Sequence, residues 1–521
     1  MNIKALNKFK NMPESYWIAS TETTDFPIFE NDADIDTVII GGGIVGITCA
    51  YLLNLEGIDT MILEGNRIAL GTSGHTTAKI TSQHDIIYSK LKSKMGFEIA
   101  KQYADANETA IREIEKIISD NSIDCDLLLQ SAFIYTQQKK SMQKIEDEVK
   151  AAKQLGIKAS YVDRVPFNFS IEAGIRFDDQ AQFHPRKFLL ALADIITKRG
   201  VQIFENSRVV DIEDGNNYII TTEHGKRINA KRVIIASHYP FYNKHGAYFS
   251  KIYSERSYII AIKAKENYPG GMYINADQPA RSIRNQPIED GELIFIGGQH
   301  HKTGQGIDTK KHYDALLEFA NTIYTVEDIP FRWSTQDCMT LDDLPYVGQF
   351  TPNTPYLYVA TGFKKWGMTN SMASAMILRD LIVHGNSPWQ DAYNPSRRTI
   401  LPSAKTFIVE NLNVAEQLID GKLSSLPDNV SVDPGEGKIL KIDGERVGAY
   451  KDDNGQLHFV DTTCTHMGCE LNWNSAETTW DCPCHGSRFS YKGEVISGPA
   501  VKPLKFGDDV NTLMKLLKED Y

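Results

Sequence analysis

Several features are scarce or absent in this 521-residue chain, and each absence excludes a class of protein. No run of eighteen apolar residues occurs, so the sequence predicts no integral membrane segment. The N-terminus has lysines but lacks the apolar core of a secretory signal, so we expect a cytoplasmic protein. Acidic residues outnumber basic ones by 67 to 56, and the net charge of −11 argues against nucleic acid as a partner. With only seven cysteines, a cluster of them favours a metal or redox site over a structural disulfide framework.

Four of the seven cysteines lie together near the C-terminus, in the stretch CTHMGCELNWNSAETTWDCPCHGSRFS. Its ligand-type residues form two pairs, Cys464-x-His466 and Cys482-x-x-His485, with fifteen residues between the pairs. Two thiolates and two imidazoles suit a Rieske 2Fe–2S centre, in which the thiolates hold one iron and the imidazoles the other. The same four residues also suit one tetrahedral zinc ion. The residue types alone leave both metals open.

The words CTHMGC and CPCHGS resemble the respiratory Rieske proteins almost letter for letter, which favours the 2Fe–2S centre. The resemblance implies a disulfide between Cys469 and Cys484 and a small antiparallel β domain. The segment 498–500, GPA, resembles the proline loop that covers the cluster in that family. Respiratory members have a tyrosine where this chain has Phe489, and they have a membrane anchor that this sequence lacks.

A second motif lies in DTVIIGGGIVGITCAYLLNLEGIDTMILEG, which predicts a strand, a glycine turn, a helix and a second strand. Gly41-x-Gly43-x-x-Gly46 allows a tight turn and lets backbone N–H groups at the helix N-terminus approach a pyrophosphate. Glu64 ends the second strand eighteen residues past Gly46, where a carboxylate can accept hydrogen bonds from a ribose diol. The pattern predicts a dinucleotide-binding Rossmann-type α/β domain.

This region resembles the D-amino-acid oxidase and glycine oxidase superfamily of flavoproteins, in pieces up to about residue 400. The stretches LGTSGHTTAKIT, VIIAS, MTLDDLPYVGQF and ATGFKKWGMTNSMASAMILRDL carry the likeness. The resemblance implies that FAD is the cofactor. No second glycine fingerprint for a nicotinamide cofactor is present, so an organic substrate is expected to reduce the flavin directly. Besides the three glycines and Glu64, the implied FAD contacts are Thr72, Ser73, His75, Val209, Ala236, Gly362, Gly367 and Met368.

The same resemblance supplies candidates for substrate binding and for covalent attachment. Family members bind a substrate carboxylate with an arginine and hold an amine beside the flavin. Arg281, Arg284 and Lys365 are the candidate catalytic residues. Some relatives link FAD covalently to a histidine placed like His75, and the surrounding letters differ here, so a non-covalent contact stays open.

The expected architecture is a Rossmann-type α/β FAD-binding domain with an interleaved α+β substrate domain, followed by a small all-β Rieske domain. Residues 1–125, 176–240 and 333–400 are assigned to the discontinuous FAD-binding domain. Residues 126–175 and 241–332 are assigned to the substrate domain, residues 401–431 to a linker and residues 432–521 to the Rieske domain.

The combination predicts an FAD-dependent oxidoreductase with an iron–sulfur cluster. The leading hypothesis is a dehydrogenase that oxidises a small-molecule amine or amino acid and passes electrons through the cluster to an external acceptor. An oxidase, or a reductase that receives electrons from an external donor, is an alternative of the same class. A redox sensor or electron carrier that turns over no small molecule is an alternative of a different class.

Overall fold

The computed structural model describes residues 13–306, 308–397, 400–423, 431–442 and 444–518. Residues 424–430 of the predicted linker lie outside these ranges, as do both chain ends. The described residues form eleven α-helices: α1 (Tyr16–Ala19), α2 (Ile44–Leu55), α3 (Tyr88–Met95), α4 (Phe97–Asp120), α5 (Met142–Gln154), α6 (Pro185–Lys198), α7 (Lys310–Ala320), α8 (Gly367–Val383), α9 (Gln390–Tyr393), α10 (Ile400–Leu423) and α11 (Val510–Lys518).

Strands make up the rest of the regular structure. The twenty-five strands of the described residues are β1 (Ala33–Ile40), β2 (Thr60–Leu63), β3 (Lys79–Ile80), β4 (Leu128–Thr136), β5 (Ala159–Val162), β6 (Ala173–Gln182), β7 (Gln202–Phe204), β8 (Val209–Glu213), β9 (Tyr218–Thr222), β10 (Arg227–Ile235), β11 (Ile252–Ala264), β12 (Met272–Asn275), β13 (Arg281–Ile288), β14 (Gly291–Lys302), β15 (Val326–Thr340), β16 (Tyr346–Gln349), β17 (Leu357–Thr361), β18 (Gly437–Ile442), β19 (Glu445–Lys451), β20 (Leu457–Asp461), β21 (Asn472–Asn474), β22 (Thr479–Asp481), β23 (Arg488–Ser490), β24 (Val495–Ser497) and β25 (Phe506–Gly507).

The first sheet is the expected Rossmann-type layer. Its strand order is β16-β17-β10-β1-β2-β7, and β8 and β9 extend it from β10. β1 runs parallel to β10 and β2, and the last four residues of β1 are buried because helices cover the sheet. α2 packs against α6 and α8. The carboxyl ends of β1 and β2 meet at one edge, where ligands bind in open α/β sheets.

The second sheet has nine strands and is mostly antiparallel, with the order β15-β11-β14-β13-β12-β4-β6-β3 and with β5 paired to β6. Strand β3, in the flavin-like segment, enters this sheet by pairing with β6. Two of the domain limits drawn from the sequence, at 175/176 and 332/333, fall inside β6 and β15. Each of these strands lies as a whole in the nine-stranded sheet. The domain limits given above therefore stay a prediction.

Residues 431–518, called the C-terminal domain below, form two four-stranded antiparallel sheets, β18-β19-β20-β25 and β21-β22-β23-β24. Each sheet has its own small buried core. Helix α10 leads towards this domain from the preceding part of the chain. Among the described residues, no helix combines the length and the apolar character that crossing a membrane requires.

The C-terminal domain packs on residues 13–397, called the N-terminal part below. The Thr309 hydroxyl donates to Asn474 Oδ1 over 2.8 Å, and the Tyr313 hydroxyl donates to Glu477 Oε1 over 2.7 Å. Ala476 completes a hydrophobic cluster whose other buried members come from the N-terminal part. Apolar packing and polar bonds together fix the position of the C-terminal domain, whose two loops 464–469, before β21, and 482–487, between β22 and β23, are described below.

Candidate functional site

The glycine turn after β1 holds the N-terminus of α2 towards a cavity. Gly41 has φ +117°, and a Cβ there would lie 2.6 Å from the carbonyl oxygen of Ala236. Gly43 is the N-cap of α2. The first backbone N–H groups of a helix lack intrahelical partners, so this turn offers donors to a pyrophosphate. Gly46 keeps the helix close to the turn, because a Cβ there would lie 1.9 Å from the oxygen of Gly41.

Glu64 follows β2 at the same edge of the sheet. Its carboxylate accepts from the backbone N–H of Gly42 over 2.7 Å and from that of Asn66 over 2.9 Å. Burial raises the pKa of Glu64, and these two bonds oppose that effect. The bonds hold the carboxylate at the wall of the cavity, where the sequence predicts a ribose contact.

The cavity in front of the turn has a volume of about 330 Å³. Three predicted FAD contacts do not line it: Gly46, His75 and Gly362. Gly362 has φ +78°, and a Cβ there would lie 2.3 Å from Thr340 Cγ2, so it serves the bend before α8. The predicted contacts that do line the cavity are Gly41, Gly43, Glu64, Thr72, Ser73, Val209, Ala236, Gly367 and Met368.

If FAD binds in this cavity, its wall should carry buried polar side-chain atoms that have no partner within the protein. Five buried side-chain atoms on its wall have no hydrogen-bond partner among the described residues. A buried polar group without a partner costs about 1–3 kcal/mol, so such groups are expected where a ligand supplies the partner. The donor turn, the acidic residue and these atoms together fit a dinucleotide. The five atoms are His238 Nε2, Arg281 Nε, Thr335 Oγ1, Ser371 Oγ and Ser497 Oγ.

His75 lies beside the cavity but does not line it. Its Nδ1 donates to the carbonyl oxygen of Gly71 over 2.9 Å, and its own carbonyl accepts from Trp333 Nε1 over 2.8 Å. Burial lowers the pKa of His75. Through these bonds His75 supports the loop that carries Thr72 and Ser73.

The two candidate arginines lie three residues apart on β13, so they point to opposite faces of the sheet. Arg281 lines the cavity. Arg284 is fully buried outside it, and its guanidinium donates to the carbonyl oxygens of Thr77 and Asn285 and to Gln286 Oε1. Only Arg281 is placed to contact a ligand in the cavity.

The third candidate, Lys365, lines the cavity just before α8. Its Nζ lies 2.9 Å from Asp337 Oδ2, 3.2 Å from Glu255 Oε2 and 3.0 Å from Ser257 Oγ. Burial alone lowers the pKa of Lys365, but the two carboxylates raise it above the ordinary value. Lys365 is therefore a paired cation on the cavity wall.

Lys79 is a cavity residue that the sequence analysis did not single out. It lies on β3 and lines the cavity, and its side-chain ammonium makes no hydrogen bond or ion pair to another described residue. Burial lowers its pKa to about 7, with a smaller effect from the positive charge of Arg284. The quoted stretch LGTSGHTTAKIT contains this lysine, but no local signal distinguishes it from a surface lysine.

The predicted cluster ligands lie on two loops with the same backbone pattern. The N–H of Cys464 donates to the oxygen of Cys469, and the N–H of Cys482 donates to the oxygen of Ser487, both over 2.8 Å. In each loop a glycine N–H then donates back to the oxygen of the first cysteine. Gly468 and Gly486 have φ of +74° and +81°, which allows each loop to close.

The two loops bring the predicted ligands together. The rings of His466 and His485 have centroids 5.1 Å apart, and Nδ1 of each is buried without a partner in the described part of the chain. Burial lowers the pKa of His466 to about 4 and that of His485 to about 3, so both imidazoles are neutral. A hydrogen bond from Cys482 lowers the pKa of Cys464 to about 7. Two neutral imidazoles and a thiol pair fit the donor set of a 2Fe–2S centre.

A disulfide joins Cys469 to Cys484 and thereby ties the two loops together. The sulfur of Cys482 lies within 4.8 Å of both disulfide sulfurs. A disulfide sulfur is not a thiolate, so this trio is not a metal site, and the free thiols of Cys464 and Cys482 stay the predicted sulfur ligands.

Both ligand loops contact the N-terminal part, and the loop of Cys482 and His485 is the more deeply buried of the two. The Ser254 hydroxyl donates to the oxygen of His485 over 3.0 Å, and the Gln336 amide donates to the oxygen of Gly486 over 2.8 Å. His466 Nε2 lies 2.9 Å from Asn243 Nδ2. These contacts join residues about 150 to 230 positions apart, so no local sequence pattern predicts them.

Comparison with known proteins agrees with both sites, the dinucleotide-type cavity and the paired Cys/His loops. Residues 36–381 match the FAD dependent oxidoreductase family (DAO), and residues 425–512 match the Rieske 2Fe-2S domain. The chain therefore belongs to the DAO family of FAD-dependent oxidoreductases and carries a C-terminal Rieske domain. The predicted fold class, enzyme class and cofactors, FAD and a 2Fe–2S cluster, are confirmed at this level.

Individual relatives share one or both parts. Over 498 residues the chain is 43% identical to YhfW of Bacillus subtilis (strain 168), which is named as a Rieske 2Fe-2S iron-sulfur protein; the match covers 95% of this chain and 98% of that one. The present chain is 22% identical to gamma-glutamylputrescine oxidoreductase of Escherichia coli (strain K12), over 76% of its own length and 94% of that protein. Glycine oxidase from Geobacillus kaustophilus has the same fold, with a TM-score of 0.60 at 18% identity over 70% of this chain and 99% of that chain.

Proposed function

We propose that this protein is a dehydrogenase that oxidises an amine or amino acid and sends the electrons through its Rieske cluster to an external one-electron acceptor. Oxidation would break one C–H bond and one N–H bond of the substrate and leave a C=N bond. FAD, when bound, would supply the two-electron acceptor chemistry and the 2Fe–2S cluster the one-electron chemistry, so that two external acceptor molecules would be reduced for each substrate molecule oxidised. The two protons released would go to solvent.

The observation that carries this proposal is the docking of the cluster loops beside the cavity. The Thr72 hydroxyl donates to the backbone oxygen of Gln336 over 3.3 Å, and the Gln336 side chain donates to Gly486. Thr72 lines the cavity, and Gly486 lies between the predicted ligand His485 and Ser487. One residue thus connects the predicted flavin wall to a ligand loop, which supports electron transfer within one chain.

The charges on the cavity wall support a substrate that has both a carboxylate and an amine. Arg281 can offer a guanidinium to a carboxylate, since its Nε has no partner among the described residues. Lys79, with its pKa lowered to about 7, can take the proton that an ammonium group must lose before the C=N bond forms. We assign Lys365 a supporting role, because it is already paired with two carboxylates.

The names of two relatives point to the same substrate class. One is a gamma-glutamylputrescine oxidoreductase, and a protein of the same fold is a glycine oxidase. Both names describe nitrogen compounds, which supports an amine or amino acid as the class to test first.

An anaerobic screen tests the proposal. Purified protein is mixed without oxygen with a panel of amino acids, N-methyl amino acids and polyamines, and the flavin and cluster absorbances are followed. We expect one compound to bleach the flavin first and the cluster afterwards. Bleaching of the flavin alone, followed by rapid recovery in air, would indicate an oxidase. If no compound reduces the flavin but a reduced carrier protein fills both centres, the protein is an electron carrier.

A further inference from the structure

The cavity wall includes a segment that belongs to the C-terminal domain. Ile496, Ser497, Gly498, Ala500 and Val501 line the same cavity as the glycine turn and Glu64. They form the end of β24 and the loop that follows it. The predicted FAD site is therefore bounded by residues of both parts of the chain.

A guanidinium fixes this loop to one end of the cavity. Nη2 of Arg208 donates to the carbonyl oxygen of Gly65 over 3.3 Å and to that of Val495 over 3.2 Å. Gly65 follows Glu64 directly at the carboxyl end of β2. This is the end where an acidic residue contacts the ribose of a dinucleotide. The loop therefore lies over the adenosine end of the site.

The loop also presents groups that a ligand can complete. The hydroxyl of Ser497 is buried and has no partner among the described residues. Ile496 lines the cavity and is 43% exposed. A buried unpaired hydroxyl next to an uncovered apolar side chain matches the polar ribose and apolar base of an adenosine.

We propose that the Rieske domain completes the FAD site, with residues 495–501 covering the adenosine half of the cofactor. The domain is then part of the binding site as well as an electron acceptor. FAD is held tightly only while the C-terminal domain is docked. This inference depends on the two cofactors and not on the substrate, so it stands or falls separately from the proposed dehydrogenase activity.

Affinity for FAD gives the first test. Full-length protein is stripped of FAD, and the flavin is titrated back while its fluorescence is followed. We expect the pair Ile496→Ala and Ser497→Ala to weaken FAD binding by about five- to tenfold, since a hydrogen bond and an apolar contact are lost. The matched control is Leu457→Ala, which truncates an exposed apolar side chain on β20, in the other sheet of the same domain. Iron content and the cluster EPR signal show that the domain stays folded in both. Wild-type affinity in the loop variant with an intact cluster would overturn the proposal.

Hydrogen exchange on the unmodified chain gives the second test and needs no folded variant. FAD-free protein with its cluster is exposed to deuterated buffer alone, with FAD, with ADP or with FMN. We expect FAD and ADP to slow exchange of the backbone amides of residues 495–501 and FMN to leave them unchanged. Protection by FMN and not by ADP would place the loop over the flavin half and contradict the proposal. Equal exchange in all four conditions would also overturn it.

Discussion

Gln336 donates a hydrogen bond from its side-chain amide to the carbonyl oxygen of Gly486 over 2.8 Å, across the boundary between the two parts of the chain. A Cβ on Gly486 would lie 2.5 Å from Ser254 Cβ and 3.0 Å from the Gln336 amide nitrogen. Glycine is therefore required both for the φ of +81° and for the closeness of the contact. The close contact of the loop 482–487 with the N-terminal part beside the cavity depends on Gln336 and Gly486.

The first prediction concerns Gln336→Leu, which keeps the volume of the side chain but removes the donor. The carbonyl of Gly486 then loses a buried partner, so we expect the free energy of unfolding to fall by about 1–3 kcal/mol. Electron transfer from photoreduced flavin to the cluster should slow, since the docked loop is less well held. Laser-flash photoreduction measures the rate, and Gln143→Leu on the exposed face of α5 is the control. An unchanged rate with a clear loss of stability would show that Gln336 has only a structural role.

The second prediction concerns the attachment of FAD. His75 does not line the cavity, and its Nδ1 is bonded to Gly71. We therefore expect non-covalent FAD: acid precipitation should give a colourless pellet, and the mass of the denatured chain should show no added flavin. A yellow pellet that becomes colourless in His75→Ala would prove the covalent bond instead.

The third prediction separates iron from zinc at the paired loops. With Cys464, His466, Cys482 and His485 as ligands, the purified protein should contain two irons per chain, and the reduced cluster should give a rhombic EPR signal with average g below the free-electron value. His485→Ala should lose the iron. Anaerobically prepared protein with one zinc and no iron would refute the ligand assignment.

Some of this site could be predicted from sequence because the chemistry is local. The glycine turn and the two Cys/His loops need fixed residue types at short, fixed spacings, so the letters themselves carry the information. Arg281 and Arg284 are an odd number of positions apart on one strand, so the alternation of side chains along a strand allows only one of them to face the cavity.

Other parts of the site depend on packing between distant residues, and the sequence does not reveal them. Asn243 meets His466 across 223 positions, and Gln336 meets Gly486 across 150. Lys79 becomes unusual only through burial near Arg284. Each of these side chains is ordinary in its local sequence, and its environment comes from the tertiary fold.

The fourth prediction concerns pH. The pKa of Lys79 is lowered from 10.5 to about 7, so the side chain is charged below that pH and neutral above it. A charged lysine cannot accept the substrate proton, so the rate of flavin reduction at saturating substrate should fall about tenfold per unit below pH 7 and level off above it. Lys79→Met should lower the plateau and remove this limb, while Lys150→Met on α5 should change neither. A wild-type pH profile in Lys79→Met would exclude Lys79 as the base.

The last prediction concerns the reduction potential of the cluster. Hydrogen bonding from Cys482 and, with a smaller effect, from the Ser487 hydroxyl lowers the pKa of Cys464, and the Ser487 oxygen accepts from the N–H of Ala500 over 3.0 Å. Reduction adds negative charge to the cluster, so a donor to its sulfur ligand favours the reduced form and raises the potential. If this bond is about 1 kcal/mol stronger in the reduced state, its loss lowers a one-electron potential by roughly 40 mV. We expect Ser487→Ala to show this decrease in protein-film voltammetry, with the flavin potential unchanged. Ser487→Thr keeps the hydroxyl and should stay near the wild-type value, and Ser490→Ala, three residues further on at the end of β23, is the control. Equal potentials in Ser487→Ala and wild type, with the cluster intact, would mean that the hydroxyl does not act on the cluster.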